Sequence, residues 1–169
     1  MKVKILHTST GQFINALIKD GSLYSLPKPQ YGWKFDFEKF SVGANNFVYV
    51  LCREDQVSTI EGCLIFKLIN NNEPIMAYVE VAPHNKGKEK IYENIGACLI
   101  AYACKLSFQF GKLQYKGWLA FTVQEENVEK QTKLMKLYKE KYFAKKLTKT
   151  AMIIQPVDAE RLIELYLNI

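Results

Sequence analysis

Between Val79 and Ala97 the chain brings together the residue types that hold an anion. An apolar run ends at Val81-Ala82-Pro83, a polar loop carries Lys86, Lys88 and Lys90, and a helical pattern begins near Glu93 to Gly96. The first turn of a helix leaves backbone N–H groups unpaired at the positive end of the macrodipole. That is a ready seat for a phosphate or diphosphate. Gly96 has no side chain to keep such a group away, and Asn94 is one of the few residues that accept a left-handed backbone. Glycines near helix starts are common, so this motif needs support from elsewhere in the chain. Other chemistries lack parts. His7 and His84 are the only histidines, and neither lies near a cysteine at ligand spacing, so no metal site is expected. A Ser-His-Asp or Cys-His arrangement needs a histidine placed by its neighbours. His84 follows a proline in a polar loop and reads as a surface residue.

The elements that must position this loop follow from periodicity. Residues 2–6 read as a strand, and 11–19 as a helix with Phe13, Ile14, Leu17 and Ile18 on one face, ending at the Asp20-Gly21 turn. Residues 22–45 are loop-rich and aromatic; the alternation from Trp33 to Phe37 suggests a short amphipathic strand or a lid. Three strands at 46–52, 60–69 and 75–82, joined by polar turns, make an antiparallel meander. A helix follows with Ile95, Leu99, Tyr102, Ala103, Leu106 and Phe110 in register and Gly111 at its end. A strand at 117–123 completes a crossover, which makes strands 75–82 and 117–123 parallel. A second helix aligns Leu134, Leu137, Tyr138, Lys141 and Tyr142. A strand at 151–154 precedes a last helix that Asp158 caps, with Ala159, Leu162, Ile163 and Tyr166 inward.

Length and charge bound the rest. The 169 residues suit a single domain, with 49% apolar and 24% charged residues typical of a soluble globular chain. No apolar run approaches the ~20 residues of a membrane span, and the polar start does not resemble a signal peptide. Cys52, Cys63, Cys98 and Cys104 are scattered, as expected of reduced, buried thiols in a cytoplasmic protein. The net charge of +6 is concentrated: residues 130–149 carry eight lysines against Glu140 alone, while residues 1–83 balance. That segment is either a solvated helix face or a footprint for an anionic partner.

The stretch VEVAPHNKGKEKIYENIGACLIAYACKLS resembles the cofactor motif of the GNAT superfamily of acyl-CoA-dependent N-acetyltransferases. Its Gln/Arg-x-x-Gly-x-Gly/Ala loop falls here on Ile91, Tyr92, Glu93, Asn94, Ile95 and Gly96. Downstream, LYKEKYFAKK resembles the family's Tyr-x-x-x-Gly-Phe element, with Tyr138 on the tyrosine. The resemblance covers roughly residues 60–167 and is closest to small bacterial GNAT-like proteins. It implies one domain over 1–169, with acceptor-side elements in 1–59 and a cofactor-binding core in 60–169. The implied fold is α/β (α+β): a mixed, mostly antiparallel sheet of six to seven strands, about four helices and a βαβ crossover. It also implies acetyl-CoA as co-substrate and no metal. Val79 and Val81 would pair with the pantetheine, residues 91 to Ala97 would hold the pyrophosphate, and Gln131 would stand where a cofactor-contacting Asn often sits. Glu80 would deprotonate the amine and Tyr138 would protonate the departing thiolate, in direct transfer through a ternary complex. The sequence departs from the pattern at Ile91 (for Gln/Arg), Asn94 (for Gly) and Tyr142 (for Gly).

Three functions compete. The first is an N-acetyltransferase acting on the primary amine of an unidentified acceptor, with segment 31–40 a candidate acceptor wall. The second is a non-catalytic module that keeps the fold and CoA binding. The third, a nucleic-acid binder using residues 130–149 with Tyr138 and Tyr142 as stacking groups, is a minor reading. Leu134 and Leu137 share that helix, so many of its lysines are its wet face, and CoA itself is anionic. No membrane contact is expected, and a homodimer is possible.

Overall fold

A computed structural model of the chain describes residues 1–168. Its single sheet contains β1 (Lys2–His7), β2 (Gln12–Asp20), β3 (Asn46–Arg53), β4 (Gln56–Ile69), β5 (Glu73–Val81), β6 (Tyr92–Glu93), β7 (Leu119–Thr122), β8 (Lys145–Lys146) and β9 (Ala151–Ile154). The helices are α1 (Phe37–Phe40), α2 (Ile95–Phe110), α3 (Val128–Tyr142) and α4 (Pro156–Leu167). The strand order is β6-β1-β2-β3-β4-β5-β7-β9-β8, antiparallel throughout except where β5 lies parallel to β7 across the α2 crossover. Nine strands replace the expected six to seven. Two of the extra ones are two-residue pairings, Tyr92–Glu93 and Lys145–Lys146, too short for any periodicity to announce.

The third extra strand is β2, which corrects the helix expected over 11–19. Ile14 and Ile18 lie four apart, a spacing that satisfies both a helix face and every second residue of a strand. Buried Ala16 between them settles the period as two, while Phe13 stays exposed. Of the two readings of Trp33 to Phe37, strand or lid, the strand does not form and the segment instead packs over an apolar patch of the sheet. Gly32 turns the chain at φ 84°, and Asp36 caps the one-turn helix α1 by accepting from Lys39 N–H at 2.9 Å. Asp158 does not cap α4; Gln155 holds that position and Pro156 starts the helix with a preset φ, leaving Asp158 in its first turn. On α3, Leu137 turns to solvent, and the inward stripe is Leu134, Met135, Tyr138 and Tyr142.

The sheet separates two cores. On one face α2 and α4 cover Leu51, Leu64, Phe66 and Met76; ten of the 16 residues of α2 are buried, so this helix is the centre of the fold. Its start is pressed onto β4 at Gly62, where an added Cβ would fall 2.6 Å from Ile95 Cγ2 and 2.8 Å from Leu99 Cδ1. On the other face the aromatic segment lays Trp33 and Phe37 over Val50, Cys52, Cys63 and Ile65. All four cysteines are buried and unpaired, and burial pushes their thiols up; Cys98 reaches about 12. Among the described residues no helix is long and apolar enough to cross a membrane.

Candidate active site

The site begins where two strands part. β5 and β7 meet at one register pair, Ile75 with Ala120, and then diverge. A bulge in β5 helps to turn it: Ile65 pairs with Tyr78 but Phe66 with Met76, so Ala77 is an extra residue. The gap opens into a cleft of about 340 Å³ lined by Val79 and Glu80 from β5, Phe121 to Glu125 at the end of β7, and Leu134 and Tyr138 from α3. Lys34, Phe35 and Lys86 form its rim. Ala82 N–H donates to Glu61 O at 2.8 Å. Antiparallel alternation then turns the backbone N–H and C=O of Val79 and Val81 away from β4, toward the gap. This is an unused strand edge.

Tyr138 stands against the Phe121 ring at 4.7 Å between centroids and lines the cleft. Burial, and secondarily the negative charge of Glu125, push its phenol up to about 12. It therefore carries its proton throughout the neutral range. Neighbouring Tyr142 is pushed up further, again by burial first. The turn after α3 falls on Phe143, left-handed at φ 58°, one residue later than the position of the family's glycine.

Glu80 is buried, not a solvated strand residue. Its Oε1 accepts Lys34 N–H at 2.7 Å and the Lys86 ammonium, and its Oε2 accepts Phe35 N–H at 3.0 Å. It thereby fastens the aromatic segment to β5. From that anchor the Lys34 side chain crosses to the far wall, where its ammonium donates to Glu125 Oε1 at 2.9 Å and Gln124 O at 3.1 Å. On the outer side Phe35, Phe40 and Tyr78 line an adjoining groove, with the last two rings stacked at 4.6 Å.

The start of α2 lies beyond Val81. Asn94 is left-handed at φ 69°, the conformation its replacement of glycine requires. The first amide bonded inside the helix is Cys98 N–H, to Asn94 O at 2.8 Å, which leaves the N–H groups of Ile95, Gly96 and Ala97 as the unpaired first turn. A cavity of about 150 Å³ opens there, lined by Val81, Lys90, Tyr92 to Ala97, Lys141 and Tyr142. Lys90 pairs with Glu93 at 2.8 Å, and Lys141 brings one cation of the lysine-rich segment to the cavity. On α3, Lys130, Lys133 and Lys136 instead pair with glutamates on their own helix or just before it, at Glu126, Glu129 and Glu140.

Two site residues of the sequence reading lie aside from these cavities. Ile91 is exposed and serves through its backbone, accepting Thr8 N–H at 3.0 Å. The Gln131 amide is spent on the loop after β7: Nε2 donates to Val123 O and Oε1 accepts Glu125 N–H at 2.9 Å. Both act on loops that border the site.

Sequence reasoning missed Glu61, which is 2% exposed at the centre of the loop's support. It accepts from Asn85 Nδ2 at 2.8 Å, lies 2.6 Å from His84 Nε2, and faces Arg53 Nε at 3.4 Å. Asn85, itself buried, accepts Tyr92 N–H at 3.1 Å, two residues before Asn94. His84 is exposed as expected, but its ring is fixed from below. The available signal was a charged residue inside the apolar run IEGCLIFKLI.

A splayed pair of parallel strands beside a helix start defines the fold class: this is the GNAT acetyltransferase fold. Solved structures share it. The KacTA–DNA complex matches with a TM-score of 0.59 at 13% identity, over 88% of this chain and 98% of that one. The AtaTR complex bound with AcCoA matches at 0.58 and 15% identity, over 88% and 98%. A GNAT family acetyltransferase from Elizabethkingia anophelis with acetyl-CoA bound matches at 0.51 and 12% identity, over 83% and 97%. At such identities the likeness is one of fold. No protein-family model matches the sequence, and no curated protein matches it.

Proposed function

We propose that the protein is an acetyl-CoA-dependent N-acetyltransferase that acts on a primary amine by direct transfer in a ternary complex. The observation that carries this reading is continuity: the open edge of β5 at Val79 and Val81 runs into the unpaired first turn of α2. An elongated ligand with an amide-bearing arm and a diphosphate needs those two features in that order. Val79 and Val81 would pair with the arm, and the N–H groups of Ile95, Gly96 and Ala97 would hold the diphosphate, with Asn94 shaping the turn and Lys90 and Lys141 adding charge. When bound, acetyl-CoA supplies an activated thioester.

The chain's own residues divide the remaining work. Tyr138 holds a proton inside the cleft for the departing thiolate. Unperturbed phenol and thiol groups differ by only ~1.5 pKa units; burial of Tyr138 widens that gap and keeps the phenol neutral. Glu80, with donors on both oxygens, acts as an anchor for Lys34 and Phe35; to act as the base expected from the sequence it must first release Lys86. Gln131 and Ile91 contribute by holding bordering loops.

One observation favours a second reading, a CoA-binding module without transfer: the Lys34–Glu125 pair crosses the mouth of the cleft. Native mass spectrometry of the purified protein, followed by acetyl transfer to a panel of primary amines, separates the two. Bound CoA together with transfer is the expected result. Bound CoA without transfer to any amine supports the module, and no bound CoA overturns both. In the transfer assay, Tyr138→Phe should slow turnover by about 100-fold while leaving acetyl-CoA affinity within a few-fold.

A further inference from the structure

The cleft already contains a primary amine. Lys34 is fixed at its backbone by Glu80, and its side chain spans from the β5 wall to the β7 wall. Its ammonium rests on Glu125 Oε1 at 2.9 Å, and no second donor occupies the Glu125 carboxylate among the described residues. Tyr138 lines the same cleft and senses the charge of Glu125. An amine, a carboxylate in hydrogen-bond contact with it and a protonated phenol are thus gathered around one gap. Lys86, the other amine of the rim, is held against Glu80, whose oxygens also carry the two backbone donors of the anchor.

We infer that Lys34 is a site of self-acetylation, with Glu125 as the acceptor of its proton. This rests on the acetyltransferase reading above. The ammonium gives one proton to Glu125, and the neutral nitrogen attacks the acetyl carbonyl of acetyl-CoA. The new N–C bond forms as the C–S bond breaks. The thiolate takes a proton from Tyr138, which regains it from the first proton by way of Glu125 and solvent. The products are an acetamide on Lys34 and CoA thiol, with one proton released overall. The acetamide has no charge for Glu125, so the bridge across the cleft opens, and the vacated carboxylate becomes a seat for the ammonium of an incoming alkylamine. The acceptor class this implies is an unbranched primary alkylamine, the chemistry of the lysine side chain itself.

The test is intact-mass and peptide mass spectrometry of the full chain incubated with acetyl-CoA, alongside calorimetric titration of the same samples. One acetyl group per chain, on Lys34, is expected. The rate constant should not change on about tenfold dilution of the protein, because donor and acceptor share one molecule. Lys34→Arg, which keeps the bridge but cannot be acetylated in this way, should abolish the product. Glu125→Gln should slow it by about 100-fold without changing acetyl-CoA affinity. If acetyl-CoA binds but the label is absent from Lys34, or spreads over the lysines of residues 130–149, self-acetylation is overturned and the acetyltransferase reading stands. If acetyl-CoA does not bind, both fall.

Discussion

The loop before α2 and the mouth of the β5–β7 cleft are each held by a carboxylate, and the two carboxylates differ in depth. At the helix-start end, Glu61 is 2% exposed and meets His84, Asn85 and Arg53, with Asn85 passing the constraint on to Tyr92. At the mouth, the Lys34 and Glu125 side chains are 42% and 19% exposed and form one bridge. A buried carboxylate with several partners fixes a shape, because losing any partner strands a charge or an amide away from water. A half-exposed pair can open, because water replaces what is lost. On the function proposed above, the arrangement would suit a preformed diphosphate seat and an entrance that admits an amine.

The largest effect is expected at Glu61. Glu61→Ala strips the partner from Asn85, His84 and Arg53 and should lower stability by about 3 kcal/mol, read by urea unfolding. Loss of less than about 1 kcal/mol would mean that the loop does not depend on this network. Asn94 shapes the same end. A β-branched residue at φ 69° should cost about 1–2 kcal/mol, so Asn94→Val should weaken acetyl-CoA binding about tenfold while Asn94→Gly retains it. Alkaline unfolding tests the dry wall of the cleft. Burial raises Tyr138 and Tyr49 from 10.0 to about 12, and raises Tyr102, Tyr142 and Tyr166 as well. Raised phenols contribute their full stability below pH 10 and lose it as the pH climbs through 12, so the melting temperature should fall across that window. Tyr138→Phe should make the fall shallower. The smallest effect belongs to the mouth: Lys34→Ala should change stability by less than about 1 kcal/mol, and that change should shrink in high salt. A loss as large as that of Glu61→Ala would erase the contrast.

How much of this was legible in the sequence follows the same division. The meander, the crossover, α2 and the left-handed Asn94 were readable, because long periodic runs and a polar loop before a helix have local causes. The strand β2 was not, since spacing of four residues fits both periods until Met1 exchanges backbone hydrogen bonds with Ile18 on one edge and β3 pairs along the other. Glu61 looked like an interruption in an apolar strand; only the fold brings Asn85 and His84 over it. Glu80 was legible as a carboxylate on β5, while its partners Lys34 and Phe35 lie about 45 positions earlier in a segment without regular structure. Lys34 and Glu125, 91 residues apart, carried no signal of their pairing. Side chains that meet across a cleft leave no trace in local spacing.

On the proposed function, the β5 edge and the first turn of α2 form one seat for acetyl-CoA. Isothermal titration of the intact protein with acetyl-CoA tests it most directly, with Asn94→Val as the paired sample. Saturable one-to-one binding that weakens in the variant is the expected result. Absence of binding at millimolar acetyl-CoA, or equal affinity in both proteins, would mean that these two elements do not form such a seat.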